Sequence, residues 1–491
     1  MLKLPKEVQQ TAEKLSKAGF EAYLVGGCLR DLILSGVEGL PTVPKDWDLT
    51  TNAKPEEIQK LFQDSVYENQ FGTVGIKIDT DEPTLKIIEV TTFRKEGKYS
   101  DKRHPDEITF AKNVEEDLSR RDFTVNAIAL KLPEEKELVD PFNGQADLKK
   151  KIIRAVGNPT ERFEEDALRI LRAVRFAAQL GFKIEEKTID AAKKHAGHLE
   201  FISKERIRDE LSKLLIADGA AEGVDLLQKL GILKIILPEL EKGVGVGQNK
   251  HHIYTVFEHN RRSLEYAAQK KFPLDLRIAS LLHDVGKPKT KQGDGPESTF
   301  YGHQVVGERM VLQIMDRLRF PKEMTERVAL LVREHMFVYD PETVSLKGVR
   351  RLISRVGQEN VDDLIKLREA DRIGSGVPKA QPYRLRYLQA MIEKVKKDPV
   401  GPKMLKLNGG DVMKELKIDP GPKVGAILAL LLEEVLDDPK QNTKKSLLER
   451  VWELGKLPEK ELAKLSEKAK KSAAEAQNRI DAEIKSKYFV K

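Results

Sequence analysis

The sequence predicts an α+β head, in which strands and helices alternate, followed by a long all-α remainder. Over roughly the first 150 residues, apolar runs rich in β-branched residues alternate with helix-like stretches. From about residue 160 onward, apolar residues instead recur at three- and four-residue spacing, as at Ile170, Leu171 and Val174. A turn-forming segment, Asp140 to Gly144, lies between the two patterns and ends the head.

The elements of the head are predicted in chain order. A helix-like segment spans Val8 to Ala18, and the strand candidates are Ala22–Val25, Asp48–Thr50, Val74–Ile78 and Leu85–Phe93. Glycine-containing stretches at residues 243–247 and 374–382 interrupt the helical remainder. We therefore predict four domains: a head (1–150), a helical neck (151–245), a helical body (246–380) and a basic helical tail (381–491).

Composition excludes several classes of protein. The chain has 491 residues, 40% of them hydrophobic and 34% charged, and a single cysteine, Cys28. One cysteine cannot form an internal disulfide and favours a reducing compartment, so we expect a cytoplasmic location. The longest uncharged apolar run, Val424 to Leu432, is far shorter than the ~20 residues needed to cross a bilayer. We expect no membrane association, no secretion signal and no obligate protein partner.

The excess of positive charge is confined to the tail. Residues 381–491 carry 24 Lys or Arg against 17 Asp or Glu, whereas the net charge of the whole chain is +7. A basic tail beside a neutral body suits a polyanion such as RNA. A solvated Lys/Glu-rich helical surface explains the same charges, so charge alone does not establish RNA binding.

Two glycines, Gly26 and Gly27, directly follow the first predicted strand. They let the backbone turn tightly and approach a ligand closely. A helix that begins there points free N–H groups at the same place, which suits a phosphate, and Arg30 would add a charged fork to the phosphate oxygens. Such turns also occur without a ligand, so this one depends on its neighbours for its interpretation.

Three acidic residues follow. Asp46 and Asp48 are two apart at the start of a predicted strand and therefore project to one face. Glu89 lies in a strand that is predicted to be half or fully buried, where a lone carboxylate needs a partner. Like charges repel unless a cation lies between them. We predict two Mg²⁺ ions ~3.5–4 Å apart, which activate an attacking hydroxyl and stabilise a leaving pyrophosphate.

Positive charge follows where a triphosphate needs it. In the segment Arg120-Arg121-Asp122, we predict that Arg121 contacts phosphate and Asp122 contacts a ribose hydroxyl. A surface salt bridge is an alternative explanation for a double arginine.

A second charged segment follows at the start of the predicted neck. Asp166, Arg169, Arg172 and Arg175 recur every three residues on a predicted helix, so successive members are neighbours on its surface. A solvent-facing ladder of salt bridges has the same spacing. An adjacent Asp and Arg also offer an acceptor and donors to a base edge, which would read a base without a template.

Six motifs occur in order over about residues 20–182: GGCLRD, DWDLTT, IIEVTTF, EEDLSRRDFTVNAIAL, DPFNGQADL and EEDALRILRAVRFAAQLGF. Together they resemble the family of class II tRNA nucleotidyltransferases and bacterial poly(A) polymerases. Residues 203–211 resemble the neck helices of that family. The resemblance implies a head with the DNA polymerase β-like nucleotidyltransferase fold and a helical neck, body and tail. It also implies that the substrate is an RNA 3′ end, of tRNA or of another RNA, together with CTP and ATP.

Matching the motifs residue by residue implies a role for each candidate. Asp46 and Asp48 would be Mg²⁺ ligands, and Glu89 the third catalytic acid. The nucleotide would be held by Gly26, Gly27, Arg30, Arg121 and Asp122, selected by Asp166 and Arg169, and lined by Arg172 and Arg175. The basic tail would contact the tRNA body.

This family contains two kinds of enzyme with different products: CCA-adding enzymes and poly(A) polymerases. Residues 69–76 resemble the HGTV-type stretch of CCA-adding members, with Phe71 in place of His. Residues 100–108 match the loop implicated in switching from CTP to ATP. The stretch from Ser35 to Lys45, which precedes the two aspartates, is longer than is usual in this family. We predict CCA addition, with a poly(A) polymerase or a partial CC- or A-adding enzyme as alternatives.

Six of the nine histidines lie between His251 and His335. The order of candidates resembles the HD phosphohydrolase domain, in which histidines and aspartates from several helices hold a divalent metal. Imidazole with carboxylate suits Mn²⁺, Ni²⁺ or Fe²⁺. The implied ligands are His259, His283, Asp284, His303, His335 and Asp371. The site would hydrolyse 2′,3′-cyclic or 3′-phosphate ends, or hold a structural metal.

Two alternatives of different classes remain open from the sequence. In the first alternative, the chain is an HD-type phosphohydrolase whose head only binds RNA, so that His283 and not Asp46 would be essential for its main activity. In the second alternative, the chain is a non-catalytic RNA-binding protein, and the three carboxylates have a structural role.

Overall fold

The computed structural model describes residues 3–38, 44–69, 72–96, 108–134, 138–249, 253–395, 405–458, 461–462 and 464–465. The chain divides into two compact units, residues 1–241 with 317–320 and residues 242–316 with 321–491. The prediction of an α+β head followed by helices is confirmed. The finer division into four domains stays a prediction. Within the described ranges, no helix has the length and apolarity of a membrane span.

The head is built on a mixed seven-stranded sheet in the order β3-β4-β5-β2-β1-β8-β9. Its strands are β1 Ala22–Val25, β2 Trp47–Thr51, β3 Ser65–Asn69, β4 Thr73–Lys77, β5 Ile87–Thr92, β8 Ala129–Leu132 and β9 Leu138–Val139. The one parallel pair of this sheet is β2 with β5, and its register sets Asp48 level with Glu89. Two predicted acidic positions therefore lie on adjacent strands.

Two small strand pairs lie outside that sheet. β6 (Arg94–Glu96) and β7 (Ile108–Phe110) form an antiparallel hairpin that continues from β5. β10 (Ile152–Ile153) and β11 (Lys183–Ile184) pair in parallel. The predicted neck is therefore not entirely helical.

The helices of the first unit cover the sheet and build the neck. They are α1 Lys6–Lys17, α2 Gly26–Glu38, α3 Pro55–Leu61, α4 Val114–Ser119, α5 Gly144–Lys150, α6 Pro159–Glu165, α7 Leu168–Leu180, α8 Glu186–His195, α9 Lys204–Leu215, α10 Ala220–Lys229, α11 Leu233–Ile236 and α12 Pro238–Glu241. Helix α7 buries most of its length and ends at Gly181, whose φ of +67° is in the left-handed region that favours glycine.

The described part of the second unit is helical, apart from one isolated β-bridge. Its α-helices are α13 Val256–Gln269, α14 Leu274–Leu282, α15 Lys287–Thr290, α16 His303–Arg317, α17 Lys322–Glu334, α18 Leu346–Val356, α19 Val361–Gly374, α20 Tyr383–Val395, α21 Gly409–Leu416, α22 Pro422–Asp437 and α23 Lys444–Gly455. Helices α21 to α23 pack around a local apolar core that includes Val412, Ile427, Leu431 and Val451.

Candidate active site and a second metal-binding cluster

The glycine turn lies against one of the acids and one of the arginines. Strand β1 leads directly into α2 at Gly26, whose φ is +78°. A Cβ at this position would lie 3.2 Å from Asp48 Oδ2 and 3.4 Å from Arg121 Nη1. Glycine is therefore required here both by its backbone angle and by the close approach of two charged side chains. The turn, the acid and the arginine meet at the N-terminus of α2.

The acidic trio, Asp46, Asp48 and Glu89, occupies the open face of the sheet. Glu89 is exposed, because β5 alternates and buries Ile88 and Val90 on its other face. Asp46 is exposed and lies just before β2 rather than on it, whereas Asp48 is half-buried within β2. The strand containing Glu89 is therefore half-buried, and the reason to expect a partner for this acid is the neighbouring charge of Asp48.

Electrostatics show that the three carboxylates act on one another. The pKa of Asp48 is raised to about 7, first by burial and then by the negative charges of Asp46 and Glu89, against the opposing charge of Arg121. A set of hard oxygen donors in mutual repulsion is relieved by a divalent cation. The trio therefore fits Mg²⁺.

A continuous chain of hydrogen bonds runs from the glycine turn to α7. Arg30 Nη1 donates to Asn126 Oδ1 at 2.9 Å, and Asn126 Nδ2 donates to Asp122 Oδ1 at 3.2 Å. Arg172 Nε donates to Asp122 Oδ2 at 2.7 Å. Burial would raise the pKa of Asp122, but Arg172 and Asn126 outweigh it and lower the pKa to about 2. Both oxygens of Asp122 therefore have protein partners, and Asn126 is a link that the sequence did not single out.

An aromatic ring organises three of the arginines. The guanidinium carbons of Arg30, Arg172 and Arg175 lie 5.3, 5.5 and 3.9 Å from the centre of the Phe176 ring. These separations are those of cation–π contacts. Phe176 therefore places the arginine from α2 and the two arginines from α7 around one ring.

Asp166 precedes the helix on which it was predicted. It has extended backbone angles between α6 and α7, and its Oδ1 accepts from Leu168 N at 3.0 Å. A short acidic side chain that bonds the backbone two residues on favours such a turn over a continuous helix. Asp166 Oδ2 also accepts from Arg206 Nη2 at 2.7 Å. The three arginines of the predicted series lie on α7, but Asp166 does not.

The arginines of α7 are paired with carboxylates. Arg169 Nη1 donates to Glu165 Oε2 at 2.6 Å and its Nη2 donates to Arg120 O at 3.0 Å. Arg175 Nε donates to Glu210 Oε2 at 2.5 Å. The sequence analysis missed Arg206 and Glu210 as partners. Their spacing of four residues in the neck motif, which puts both on one face of α9, was the available signal.

Several predicted features lie wholly or partly outside the described residues. They are Phe71, at the position that distinguishes CCA-adding members from poly(A) polymerases, residues 39–43 of the Ser35–Lys45 stretch, residues 100–107 of the loop compared with the CTP-to-ATP switch, and residues 396–404, 459–460, 463 and 466–491 of the tail.

Six buried side chains converge in the second unit, each at most 8% exposed. They come from α13, the end of α14, the start of α16, the end of α17 and α19. All six were named from the sequence, and we call them the histidine cluster: His259, His283, Asp284, His303, His335 and Asp371.

Asp284 lies at the centre of the histidine cluster. Its Oδ2 lies 3.1 Å from His259 Nε2 and 3.4 Å from His283 Nε2. Its Oδ1 lies 3.2 Å from His303 Nε2 and 3.6 Å from His335 Nε2. Two ligands held ~2.1 Å from one ion at a right angle are about 3 Å apart, so these separations fit metal coordination. Two groups of possible metal ligands, one with His259 and His283 and the other with His303 and His335, therefore share Asp284.

Backbone carbonyls orient the imidazoles of the histidine cluster. The Nδ1 atoms of His283, His303 and His335 lie 2.9, 2.8 and 2.7 Å from carbonyl oxygens three residues earlier. Donation from Nδ1–H to a carbonyl leaves Nε2 with its lone pair, which is the form that binds a metal. Burial lowers the pKa of His335 to about 4, which favours its neutral ring. Burial would also lower the pKa of His283, but Asp284 and Asp371 outweigh it and raise that pKa to about 9.

Two cations accompany the histidine cluster. Lys287 Nζ lies 2.5 Å from Asp284 Oδ2 and donates to Gln248 Oε1 at 2.6 Å. Arg368 Nη1 donates to Asp371 Oδ2 at 2.5 Å. Burial would raise the pKa of Asp284, but Lys287 and His283 hold it well below its usual range. The sequence analysis did not single out Lys287, although it lies one helical turn after Asp284.

Comparison with known families covers most of the chain. The poly A polymerase head domain matches residues 22–154, and the probable RNA and SrmB-binding site of polymerase A matches residues 181–243. The HD domain matches residues 251–374, and a tRNA nucleotidyltransferase domain 2 matches residues 349–451.

Individual relatives point the same way. A CCA-adding enzyme of Limosilactobacillus fermentum is 35% identical over 456 residues, covering 92% of this chain and 98% of the relative. An A-adding tRNA nucleotidyltransferase of Deinococcus radiodurans is 40% identical over 334 residues, covering 65% of this chain and 75% of the relative. The crystal structure of a Bacillus stearothermophilus CCA-adding enzyme in complex with CTP superposes with a TM-score of 0.68 at 26% identity, covering 91% and 96% of the two chains.

Proposed function

This chain belongs to the family of CCA-adding tRNA nucleotidyltransferases, and we propose that it adds C, C and A, from CTP and ATP, to tRNA 3′ ends with release of pyrophosphate. The observation that carries the proposal is the acidic trio on the open face of the sheet, next to the glycine turn that begins α2. A relative that spans nearly the whole chain is a CCA-adding enzyme, which supports this product. We also propose a cytoplasmic location, from the single cysteine.

Asp46, Asp48 and Glu89 are the residues that would hold two Mg²⁺ ions. The ions, when bound, would activate the attacking 3′-hydroxyl and neutralise charge on the leaving pyrophosphate. The free N–H groups at the start of α2 would bind the triphosphate, and Gly26 and Gly27 let it approach the backbone closely. Arg30 and Arg121 would supply charged donors to the phosphate oxygens.

Selection of the base would fall to Asp166 and Arg169. Cytosine and adenine each present an exocyclic amino group beside a ring nitrogen acceptor. An Asp acceptor and an Arg donor complement that pattern in both bases. In this structure these two side chains pair with Arg206 and Glu165, so base binding would exchange those partners.

The remaining residues of the pocket would keep α7 in place. Asp122 holds Arg172 in two short contacts, from Nε at 2.7 Å and Nη2 at 2.6 Å, and would contact the ribose from the same position. Arg175 lies against Phe176 and would line the pocket from within α7. The basic tail, residues 381–491, would contact the tRNA body.

The product is tested by sequencing. Purified protein is incubated with Mg²⁺, all four nucleotides and tRNA that ends before the CCA, after the first C or after both, and the new 3′ ends are read. CCA on the first substrate supports the proposal. Addition of A alone, and only to the substrate ending in CC, would place the chain with its Deinococcus relative; a long A tract would indicate poly(A) synthesis. No addition to any substrate rejects the proposal.

A second activity is favoured by the histidine cluster. We propose that it holds Mn²⁺, Ni²⁺ or Fe²⁺ and hydrolyses 2′,3′-cyclic or 3′-phosphate ends of RNA. A transition metal, when bound there, would supply an activated water. The test is the release of 2′- or 3′-AMP from 2′,3′-cyclic AMP, and of phosphate from 3′-AMP, with each metal, for the wild-type chain and for His283→Ala. Release that requires His283 and persists in Asp48→Ala supports the proposal. Metal binding without hydrolysis contradicts it and leaves a structural metal site.

A further inference from the structure

One buried carboxylate of the head has no role in the mechanism above. Asp117 lies on α4 and is 0% exposed. Its Oδ1 accepts from Arg120 Nε at 3.0 Å and Nη2 at 2.8 Å, and its Oδ2 accepts from Arg121 Nη2 at 3.2 Å. A single buried acid therefore binds both arginines of the segment that was predicted to contact the triphosphate.

The position of Asp117 is fixed independently of those arginines. Its Oδ1 also accepts from the backbone N–H of Arg94, at 3.3 Å, where the β6–β7 hairpin begins. On either side of α4, Val114 and Leu118 pack into an apolar core with Phe93. The carboxylate therefore has a rigid base, which is what a group needs in order to hold a flexible arginine in one place.

Arg121 keeps further donors available on its other side. Nη1 lies 3.4 Å from the position that a Cβ would take on Gly26, at the N-terminus of α2. Nε is buried and has no hydrogen-bond partner within the described ranges. A buried donor without a partner is costly, so its pairing with a ligand oxygen is favourable. Arg121 is therefore held from one side by Asp117 and presents donors next to the glycine turn.

We propose that Asp117 is a positioning residue that holds the Arg121 guanidinium ready for the triphosphate of the incoming nucleotide. The inference rests on the proposed nucleotidyl transfer and adds a residue that acts through Arg121 rather than on the substrate. Because the triphosphate is common to CTP and ATP, loss of Asp117 weakens the binding of both nucleotides equally. Loss of a residue that contacts the base would instead weaken the binding of CTP and of ATP by different factors.

The first experiment measures steady-state addition by the full chain to tRNA ending before the CCA and to tRNA ending in CC. For Asp117→Asn we expect KM to rise about tenfold for CTP and by the same factor for ATP, with kcat within about twofold of wild type. Glu116→Gln is the matched control. Its half-buried carboxylate accepts from Lys95 Nζ and Lys112 N and, within the described residues, does not bond Arg121. We therefore expect an unchanged KM.

A double-mutant cycle with Arg121→Gln tests whether the effect passes through Arg121. We expect Arg121→Gln alone to raise KM at least as much, and Asp117→Asn to add nothing in that background. Additive effects, or an unchanged KM in a folded Asp117→Asn protein, overturn the inference. If Asp117→Asn does not fold, Asp117→Glu takes its place, since it keeps the charge but displaces the carboxylate. Wild-type protein that adds no nucleotide refutes the proposed function instead.

Discussion

The acidic trio of the head and the histidine cluster of the second unit both gather side chains that bind cations, but in opposite surroundings. Asp46 and Glu89 are exposed on an open sheet face, and the pKa of half-buried Asp48 is raised first by burial and then by the charges of Asp46 and Glu89. The histidine cluster is buried among helices, and its two aspartates pair with Lys287 and Arg368.

The difference teaches where activity and stability are located. Solvent screens repulsion among exposed carboxylates, so the head can keep three of them together and still admit a large substrate. A buried charge must be paired, because leaving it alone in a low-dielectric interior is costly. We therefore expect substitutions in the acidic trio to affect nucleotide addition and not stability, and substitutions in the histidine cluster to affect folding and not nucleotide addition.

The largest expected effect is on nucleotide addition. Asp48→Asn removes a central member of the acidic trio and should lower kcat/KM at least ~10³-fold, since preorganised charge stabilisation of this size is typical of such sites. The melting temperature without metal should stay the same or rise, because a repelling charge is lost. Asp79→Asn, at an exposed loop carboxylate outside the trio, is the control. A lower melting temperature of Asp48→Asn would contradict the expectation that the acidic trio affects nucleotide addition rather than stability.

The second largest effect is on folding. Asp284→Asn leaves Lys287 buried beside a neutral amide, so the free energy of unfolding should fall by about 3 kcal/mol. Urea unfolding measures this change, and nucleotide addition per folded molecule should remain that of the wild type. If addition fell as strongly as in Asp48→Asn, activity and stability would not be separated between the two regions.

Metal binding should distinguish the two regions by ligand type. Mn²⁺ or Ni²⁺ at about a hundred times its dissociation constant should stabilise the wild-type protein by about 2–3 kcal/mol, measured as a rise in melting temperature. His283→Ala should abolish this rise and leave any response to Mg²⁺ intact. The same rise in both proteins would mean that the histidine cluster does not bind the metal.

The smallest expected effect concerns a buried acid of the head. The pKa of Asp122 is lowered to about 2 by its partners, so its ionised form stabilises the fold. This stabilisation is present above pH ~4, where the acid is also ionised in the unfolded chain, and is lost as the pH falls toward 2. Asp122→Asn should therefore lower the free energy of unfolding by about 2 kcal/mol at pH 7, and the difference from wild type should shrink below pH 4. A difference that does not depend on pH would assign the effect to packing.

Much of the fold was predictable because its signals are local. The first strand, Ala22–Val25, was predicted with its observed bounds, since it is a short apolar run followed by glycine. The short strands β10 and β11 were missed, because two-residue pairs carry no periodicity of their own. The strand containing Glu89 was predicted to be half or fully buried, and the structure shows it half-buried, with Ile88 and Val90 on the inner face and Glu89 on the outer face.

The candidate site was predictable in its members and not in its pairings. The acidic and arginine positions could be named because they lie in short contiguous motifs, and the histidine positions because their order along the chain resembles that of the HD domain. Arg206 and Glu210 could not be paired with Asp166 and Arg175, because those partners lie 40 and 35 residues away and meet only through the packing of helices. Asn126 lies only 4 residues from Asp122, and its contact is local. The spacing of residues along the sequence therefore indicates the chemistry of the site, whereas the packing of distant segments determines which charged side chains are in contact.

The parallel register of β2 with β5 makes the head intolerant of length changes within those strands. Inserting or deleting one residue in β5 ahead of Glu89 would turn Glu89 toward the apolar interior and bring Ile88 or Val90 to the outer face. A shift of two residues would restore the face but move the carboxylate about 7 Å along the strand. Variation in chain length among relatives should therefore be confined to the connections between strands.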